Sequence, residues 1–203
     1  LPQPEAPYAV EMLAAERLAQ DDAPVYYVEN TLITSLFGLL CWEAIFAAVP
    51  GAFFHPFHTG PADLHNTDFH RRREREFSDC LTRLDSGEYI HAINRNFAHK
   101  AGVQSPFVVW PVLTEELKDL ALACIPAKHL KQWFARILQD IKANRAGFPD
   151  LIQFWPGERR YRMIEVKGPG DHLQDNQIRW LDYCATQEMP VSVCYVQWAE
   201  GSE

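Results

Sequence analysis

The clearest apolar pattern runs over residues 127–144, where Leu130, Trp133, Phe134, Ile137, Leu138 and Ile141 recur at i, i+3, i+4 and i+7 spacing and predict an amphipathic helix. A second helix is predicted over 29–47. There Leu32, Ile33, Leu36, Phe37, Leu39, Leu40, Trp42, Ile45 and Phe46 cover most of the circumference, which marks a buried helix. Weaker spacing predicts a short amphipathic piece over 8–20 and helices over 70–84 and 86–100. A further short helix over 114–123 opens with the capping pattern Thr114-Glu115-Glu116-Leu117. After Gly147 the pattern changes. Apolar and β-branched runs at 147–155 and 161–168, separated by Pro156-Gly157-Glu158, predict a β-hairpin. A helix follows from Asp171 to about Thr186, with Ile178, Leu181 and Cys184 facing the core and Trp180 beside them, and then a strand over 191–197. Residues 48–68 are rich in Gly, Pro and His and are predicted as loop. The first core strand is not evident, and Phe107-Val108-Val109-Trp110, between Pro106 and Pro111, is its candidate. The order helix, hairpin, helix, strand predicts an α/β fold with a small mixed sheet.

Length and composition narrow the picture without redirecting it. A chain of 203 residues, 47% hydrophobic, can bury one sizeable core as one domain or a domain with a helical annex. It has no run of 18 apolar residues and does not open with a signal-peptide pattern, so a membrane or secreted protein is not expected. The five cysteines show no close metal-ligand spacing and sit among apolar neighbours, as reduced core thiols of an intracellular protein do. The chain begins Leu1-Pro2-Gln3-Pro4 without Met, as a fragment of a longer protein would.

Net charge of −8 argues against nucleic acid as partner until its distribution is considered. Residues 1–29 hold six acids against one Arg, whereas 127–145 hold Lys128, Lys131, Arg136, Lys142 and Arg145 against Asp140 alone. A basic helix leading into the hairpin can hold a phosphate backbone, or can be only a solvated face. The run Arg71-Arg72-Arg73-Glu74-Arg75-Glu76 is expected to be exposed and internally paired, with Arg72 or Arg75 available for a phosphate contact. Four His (His55, His58, His65, His70) fall in sixteen residues, but no Cys or fixed ligand spacing accompanies them, and a zinc site is not expected.

The hairpin carries the strongest candidate chemistry. Asp150 opens its first strand and Glu165 lies near the end of its second, so antiparallel pairing brings the two carboxylates together. Lys167, two residues beyond Glu165, falls on the same face. Two carboxylates suit a hard divalent cation such as Mg²⁺, and the ammonium can orient a water or offset charge developing on a phosphate. The competing reading is structural: Asp150 caps a turn, and Glu165 and Lys167 form an exposed strand pair. Glu29 and Glu43 stand out as acids on the buried 29–47 helix. A helix N-terminus favours Glu29 through the macrodipole alone.

These residues in this order resemble the PD-(D/E)xK nuclease superfamily, its VRR-NUC branch and, more narrowly, the nuclease domain of the Fanconi-associated nuclease family. The resemblance is carried by Asn144-Arg145-Ala146-Gly147-Phe148-Pro149-Asp150-Leu151, by Glu165-Val166-Lys167-Gly168-Pro169-Gly170-Asp171 through Gln177, and by Trp180-Leu181. Upstream, Leu36-Phe37-Gly38-Leu39-Leu40-Cys41-Trp42 and Val49-Pro50-Gly51-Ala52-Phe53 fit as well, so it spans about residues 25 to 197. It implies a restriction-endonuclease-like core, a small mixed sheet flanked by helices, with a helical N-terminal annex. The annex would take residues 1–110, including the first core helix at about 29–47, and the nuclease core 111–203, with the catalytic hairpin at 148–167. It also implies metal ligands at Glu29, Asp150, Glu165 and Val166, with Glu43 the alternative third acid, and catalytic roles for Lys167, Asp150, Glu165 and Gln177, the glutamine lying near the lysine. DNA contacts are expected from Arg145, Lys142, Arg136 and Lys131. The implied activity is divalent-metal-dependent DNA hydrolysis with one or two Mg²⁺ or Mn²⁺ ions, structure-selective at 5′ flaps and 5′-to-3′ exonucleolytic, in interstrand-crosslink repair. The implied partner is branched or 5′-flap DNA, in the cytoplasm or nucleoid of a bacterium or the nucleus of a eukaryote. A Holliday-junction or restriction-type nuclease, and a DNA-binding domain that has lost catalysis, are the alternatives.

Overall fold

The computed structural model describes residues 9–55 and 58–199. Leu1–Pro4 and Glu5 of the acidic flank, and Pro56 and Phe57 of the His-rich loop, lie outside the described residues. The chain divides into two compact units. One comprises residues 1–30, 123–125 and 147–203, and the other residues 31–122 and 126–146. This division differs from the linear one at residue 110: in sequence, a helical segment is inserted between the first and second strands of a single sheet.

The first unit contains α1 (Val10–Leu18), β1 (Val25–Tyr27), β2 (Leu151–Trp155), β3 (Arg160–Lys167), α9 (Asp175–Thr186) and β4 (Val191–Tyr195). Its four strands form one mixed sheet in the order β1-β2-β3-β4, antiparallel except for the parallel β3–β4 pair. The hairpin is present, and α9 makes the crossover that a parallel pair requires. Alternation along β2 and β3 separates the two faces. Leu151, Ile164 and Val166 point to α1 and pack with Ala14, Ala15 and Val196, while Ile152, Phe154, Tyr161 and Met163 are buried on the other. In α9, Trp180 and Cys184 are buried as expected, whereas Ile178 is 40% exposed. Trp180 stacks on Phe148 at 4.0 Å between ring centroids, which docks the middle of the helix on the turn before β2.

The first core strand is β1, a three-residue edge that pairs Tyr27 with Leu151. The candidate at 106–111 forms no strand, and Phe107 and Val108 are core residues of the second unit.

The second unit contains α2 (Leu32–Leu40), α3 (Trp42–Ile45), α4 (Glu74–Ser86), α5 (Tyr89–His99), most of α6 (Glu115–Cys124), α7 (Ala127–Gln139) and α8 (Ile141–Asn144). The predicted 29–47 helix is thus α2 and α3, interrupted at Cys41, and every residue of α2 is buried. Phe37 lies at the centre of an aromatic cluster, with Phe107 and Phe134 edge-on and Phe77 stacked. The predicted 127–144 helix breaks at Asp140, whose extended backbone and side-chain acceptance from Ala143 N at 2.9 Å make it the N-cap of α8.

The basic run before α4 corrects one expectation: Arg73 is wholly buried, not solvated. Its two terminal nitrogens each donate to Asp63 at 2.9 Å, its guanidinium lies 4.2 Å from the Phe69 ring centroid, and Arg72 joins the same carboxylate at 2.7 Å. Burial works to raise the Asp63 pKa, but the two arginines prevail and hold it below the ordinary value.

Candidate active site

The β2–β3 register pairs Leu151 with Ile164, and one step further along it Asp150 stands opposite Glu165. Both side chains, with Lys167, therefore leave the sheet on the face opposite α1. All three are buried, at 7%, 0% and 7% exposure. Asp150 Oδ2 accepts from Val166 N at 2.7 Å, which fixes the carboxyl against β3. Val166 contributes only main chain here, since its side chain packs in the apolar cluster under α1. The expected alternative of an exposed Glu165–Lys167 pair is not what the structure contains.

Lys167 Nζ lies 2.7 Å from Glu165 Oε1, but the approach lacks hydrogen-bond geometry, and both Glu165 oxygens are buried without a hydrogen-bond donor among the described residues. Two buried carboxylates are costly, and the single ammonium of Lys167 offsets only one of their charges. Burial foremost, with the charges of Asp150 and Glu29, pushes the Glu165 pKa up to about 7 against the opposing effect of Lys167. Asp150 is raised chiefly by burial, with Glu29 and Glu11 adding to the shift and the Val166 N–H opposing it. Two facing buried carboxylates beside a single ammonium are a donor set that fits a hard divalent cation.

Glu29 follows the end of β1 in a turn, two residues short of the N-cap of α2, so the macrodipole does not account for it. It is exposed, and its carboxylate accepts from the Tyr27 hydroxyl at 2.5 Å and from Asn30 Nδ2 at 3.2 Å. No group of three or more His, Cys, Asp or Glu among the described residues is arranged to hold a metal. Glu29 therefore stands outside a tight cluster, yet close enough for its charge to act on both Asp150 and Glu165. Glu43 belongs to the other unit, where Arg95 and Asn96 engage its two oxygens at 3.2 and 3.4 Å. Gln177 opens α9 as the N3 member of a capping box, its Oε1 accepting from Gln174 N at 2.9 Å.

Of the basic residues, Lys131 is paired with Asp85 at 2.5 and 2.8 Å, and Arg145 donates to Pro106 O at 2.9 Å and lies over the Phe107 ring. Arg136 is partly buried and Lys142 is exposed on α8.

Sequence reasoning missed three residues around the site. Glu11, in the first turn of α1, acts electrostatically on Asp150, while Tyr27 and Asn30 flank Glu29. Their signal was the short run Val25-Tyr26-Tyr27, too brief to stand out as a strand.

A family model described as VRR-NUC domain matches residues 85–198. The matched stretch contains Asp150, Glu165 and Lys167, and Glu29 precedes it. A Fanconi-associated nuclease 1 homolog of Pseudomonas aeruginosa is 62% identical over 195 residues, which is 96% of this chain and 35% of that protein. The Schizosaccharomyces pombe homolog is 30% identical over 189 residues, covering 92% of this chain and 27% of that protein. Among solved structures, paFAN1 bound to DNA with a 2-nucleotide 5′ flap and a gap is similar with a TM-score of 0.98 at 60% identity, covering 100% of this chain and 37% of that chain. A second paFAN1 structure, with a 1-nucleotide flap, gives 0.97 at the same identity. The chain thus spans roughly a third of the length of these relatives.

Proposed function

The chain belongs to the VRR-NUC domain family, and on that premise we propose that it is the catalytic part of a divalent-metal-dependent DNA nuclease, structure-selective for 5′ flaps with 5′-to-3′ exonuclease activity, that serves interstrand-crosslink repair inside the cell. The observation that carries the reading is the pair of facing buried carboxylates, Asp150 and Glu165, with the Lys167 ammonium 2.7 Å from Glu165 Oε1. In this reading Asp150, Glu165, Glu29 and the main chain of Val166 hold one or two Mg²⁺ or Mn²⁺ ions. The bound cation supplies Lewis-acid polarisation of the scissile phosphate and a water of lowered pKa.

The remaining chemistry belongs to the protein. Lys167, held by β3 within reach of Glu165, orients the attacking water through its ammonium and offsets the negative charge that grows on the phosphate. Burial keeps that charge in a medium where its effect is larger than in water. Gln177 contributes by fixing the start of α9, through the capping box. Arg145, Lys142, Arg136 and Lys131 supply phosphate contacts, which carry most of the affinity for DNA. The paFAN1 complexes with flap DNA support the choice of substrate.

The test is cleavage of labelled 5′-flap, nicked, four-way-junction and single-stranded DNA with Mg²⁺ or Mn²⁺. The flap substrate is expected to be cut fastest. Asp150→Ala and Glu165→Ala are expected to abolish cleavage while leaving DNA affinity nearly unchanged. A mutant of either kind that binds Mn²⁺ like the parent removes that residue from the ligand set, and preference for the junction over the flap replaces the substrate assignment.

A further inference from the structure

Asn30 ties the Glu29 turn to the turn that leads into Asp150. Its backbone is in the left-handed region, φ +53°, which Asn tolerates better than most residues. A carboxamide offers an acceptor and two donors on one rigid plane, and both halves are used. Oδ1 accepts from Gly147 N at 2.7 Å and from Phe148 N at 3.0 Å, pinning the backbone that runs into Asp150. Nδ2 donates to Glu29 Oε1 at 3.2 Å, while the Tyr27 hydroxyl donates to the other oxygen, Oε2, at 2.5 Å. The next rung of the sheet closes the loop, with Val28 N donating to Asp150 O at 2.8 Å.

The pinned turn has no slack on its other side. Gly147 has φ +97°, and a Cβ there would lie 2.9 Å from the backbone carbon and oxygen of Asn176. Residues 147–150 are thus held between the carboxamide of Asn30 and the first turn of α9. Glu29, although exposed, has both oxygens occupied by donors that orient it.

We infer that Asn30 and Tyr27 are positioning residues, which orient the Glu29 carboxylate and tie it to the turn before Asp150, so that a divalent cation held by Asp150 and Glu165 can draw in a third acid from close by. This rests on the reading that Glu29 is a metal ligand. Outer partners that orient ligating carboxylates typically contribute about 10- to 100-fold to metal affinity. The donors from Tyr27 and Asn30 do not block that role, because each carboxylate oxygen has two lone pairs. Asn30 therefore couples two distant parts of the sequence, bonding to Gly147, 117 residues away, with one side chain.

The experiment is Mn²⁺ titration by calorimetry on the full chain, for the parent, Asn30→Gly, Tyr27→Phe, Glu29→Gln and the Asn30→Gly/Glu29→Gln double variant. Glycine keeps the positive φ without strain, and Tyr27→Phe leaves every backbone pin intact, so at least one probe of the carboxylate folds normally. Asn30→Gly and Tyr27→Phe are each expected to raise the Mn²⁺ concentration at half-saturation about 10-fold. Single-turnover cleavage should fall at low Mn²⁺ and recover at saturating Mn²⁺. The shift caused by Asn30→Gly should vanish in the Glu29→Gln background. A shift of equal size in both backgrounds overturns the inference, because Asn30 then acts on the backbone alone, as does an unshifted midpoint in both single variants. An unshifted midpoint in Glu29→Gln itself overturns the ligand reading beneath it, and that result is separable from the other two.

Discussion

Lys167 and Glu165 are both buried, and this decides what each residue contributes. On a solvated strand edge such a pair is worth little, about 0–1 kcal/mol. In the interior, removing one partner leaves a charge without its counterpart, at a cost of up to about 3–5 kcal/mol that protonation of Glu165, whose pKa is already pushed up to about 7, reduces. Lys167→Ala should therefore lower the stability of the metal-free protein, and Mn²⁺ should restore part of it by taking over the counter-charge. Metal affinity should hold or rise, because a cation has been removed from beside another. On the proposed mechanism cleavage should still fall by orders of magnitude, since the lost ammonium would stabilise charge that develops only in the transition state. Lys167→Arg should also fail, its planar guanidinium being a poor substitute for a compact ammonium. Melting curves with and without Mn²⁺, together with single-turnover cleavage of a 5′-flap duplex, check these outcomes; a Lys167→Ala protein that cuts at the parent rate removes Lys167 from the mechanism. The face shared by Asp150, Glu165 and Lys167 was legible in the sequence because strand alternation has a fixed period of two. The donors around Glu29 were not, because they depend on a strand too short to show a period.

At the scale of elements, the same limits recur with identifiable causes. β1 comprises only Val25–Tyr27, and its partner strand begins at Leu151, so nothing local announces the pairing. The break at Asp140 was legible in principle: an Asp within an apolar helical pattern competes for backbone N–H groups, and here it caps α8. Arg73 was misread because a run of arginines is ordinarily solvated, whereas its partner, Asp63, lies in the preceding loop. That buried pair gives a pH signature. Asp63 has a folded-state pKa below its ordinary value of 3.8, so its contribution to stability is present above that pH and is lost as pH falls through the lowered folded value. Asp63→Asn leaves Arg73 buried without its counter-charge and should destabilise the chain by about 3–5 kcal/mol at neutral pH. The gap between parent and Asp63→Asn, followed by chemical denaturation from pH 7 to below pH 3, is expected to close at the acid end. A gap independent of pH would mean that Asp63 contributes by packing and not by charge.

For the molecule as a whole, the proposed function raises the question of how a chain of net charge −8 would hold a polyanion. Affinity comes from local phosphate contacts, each adding about −0.9 to the slope of log K against log salt on duplex DNA. Within the proposed basic set, the side chains are not equally available. Lys142 is exposed on α8, whereas the Lys131 ammonium lies 2.5 Å from one oxygen of Asp85, so that pair presents little net charge to a phosphate. Lys142→Ala should weaken DNA binding and flatten the salt slope by about 0.9, and Lys131→Ala should change both less. Asp85→Asn should do the opposite of a typical loss of an ion pair: it frees Lys131, tightens DNA binding and steepens the slope, with little effect on stability because the pair is exposed. In a Lys131→Ala background the benefit of Asp85→Asn should shrink to the small, long-range effect of one fewer acid, screened within about 8–10 Å at physiological salt. Fluorescence anisotropy of a labelled flap duplex across a salt series measures the four variants against the parent, and a benefit of Asp85→Asn that survives the loss of Lys131 undiminished would take Lys131 out of the proposed DNA-binding set.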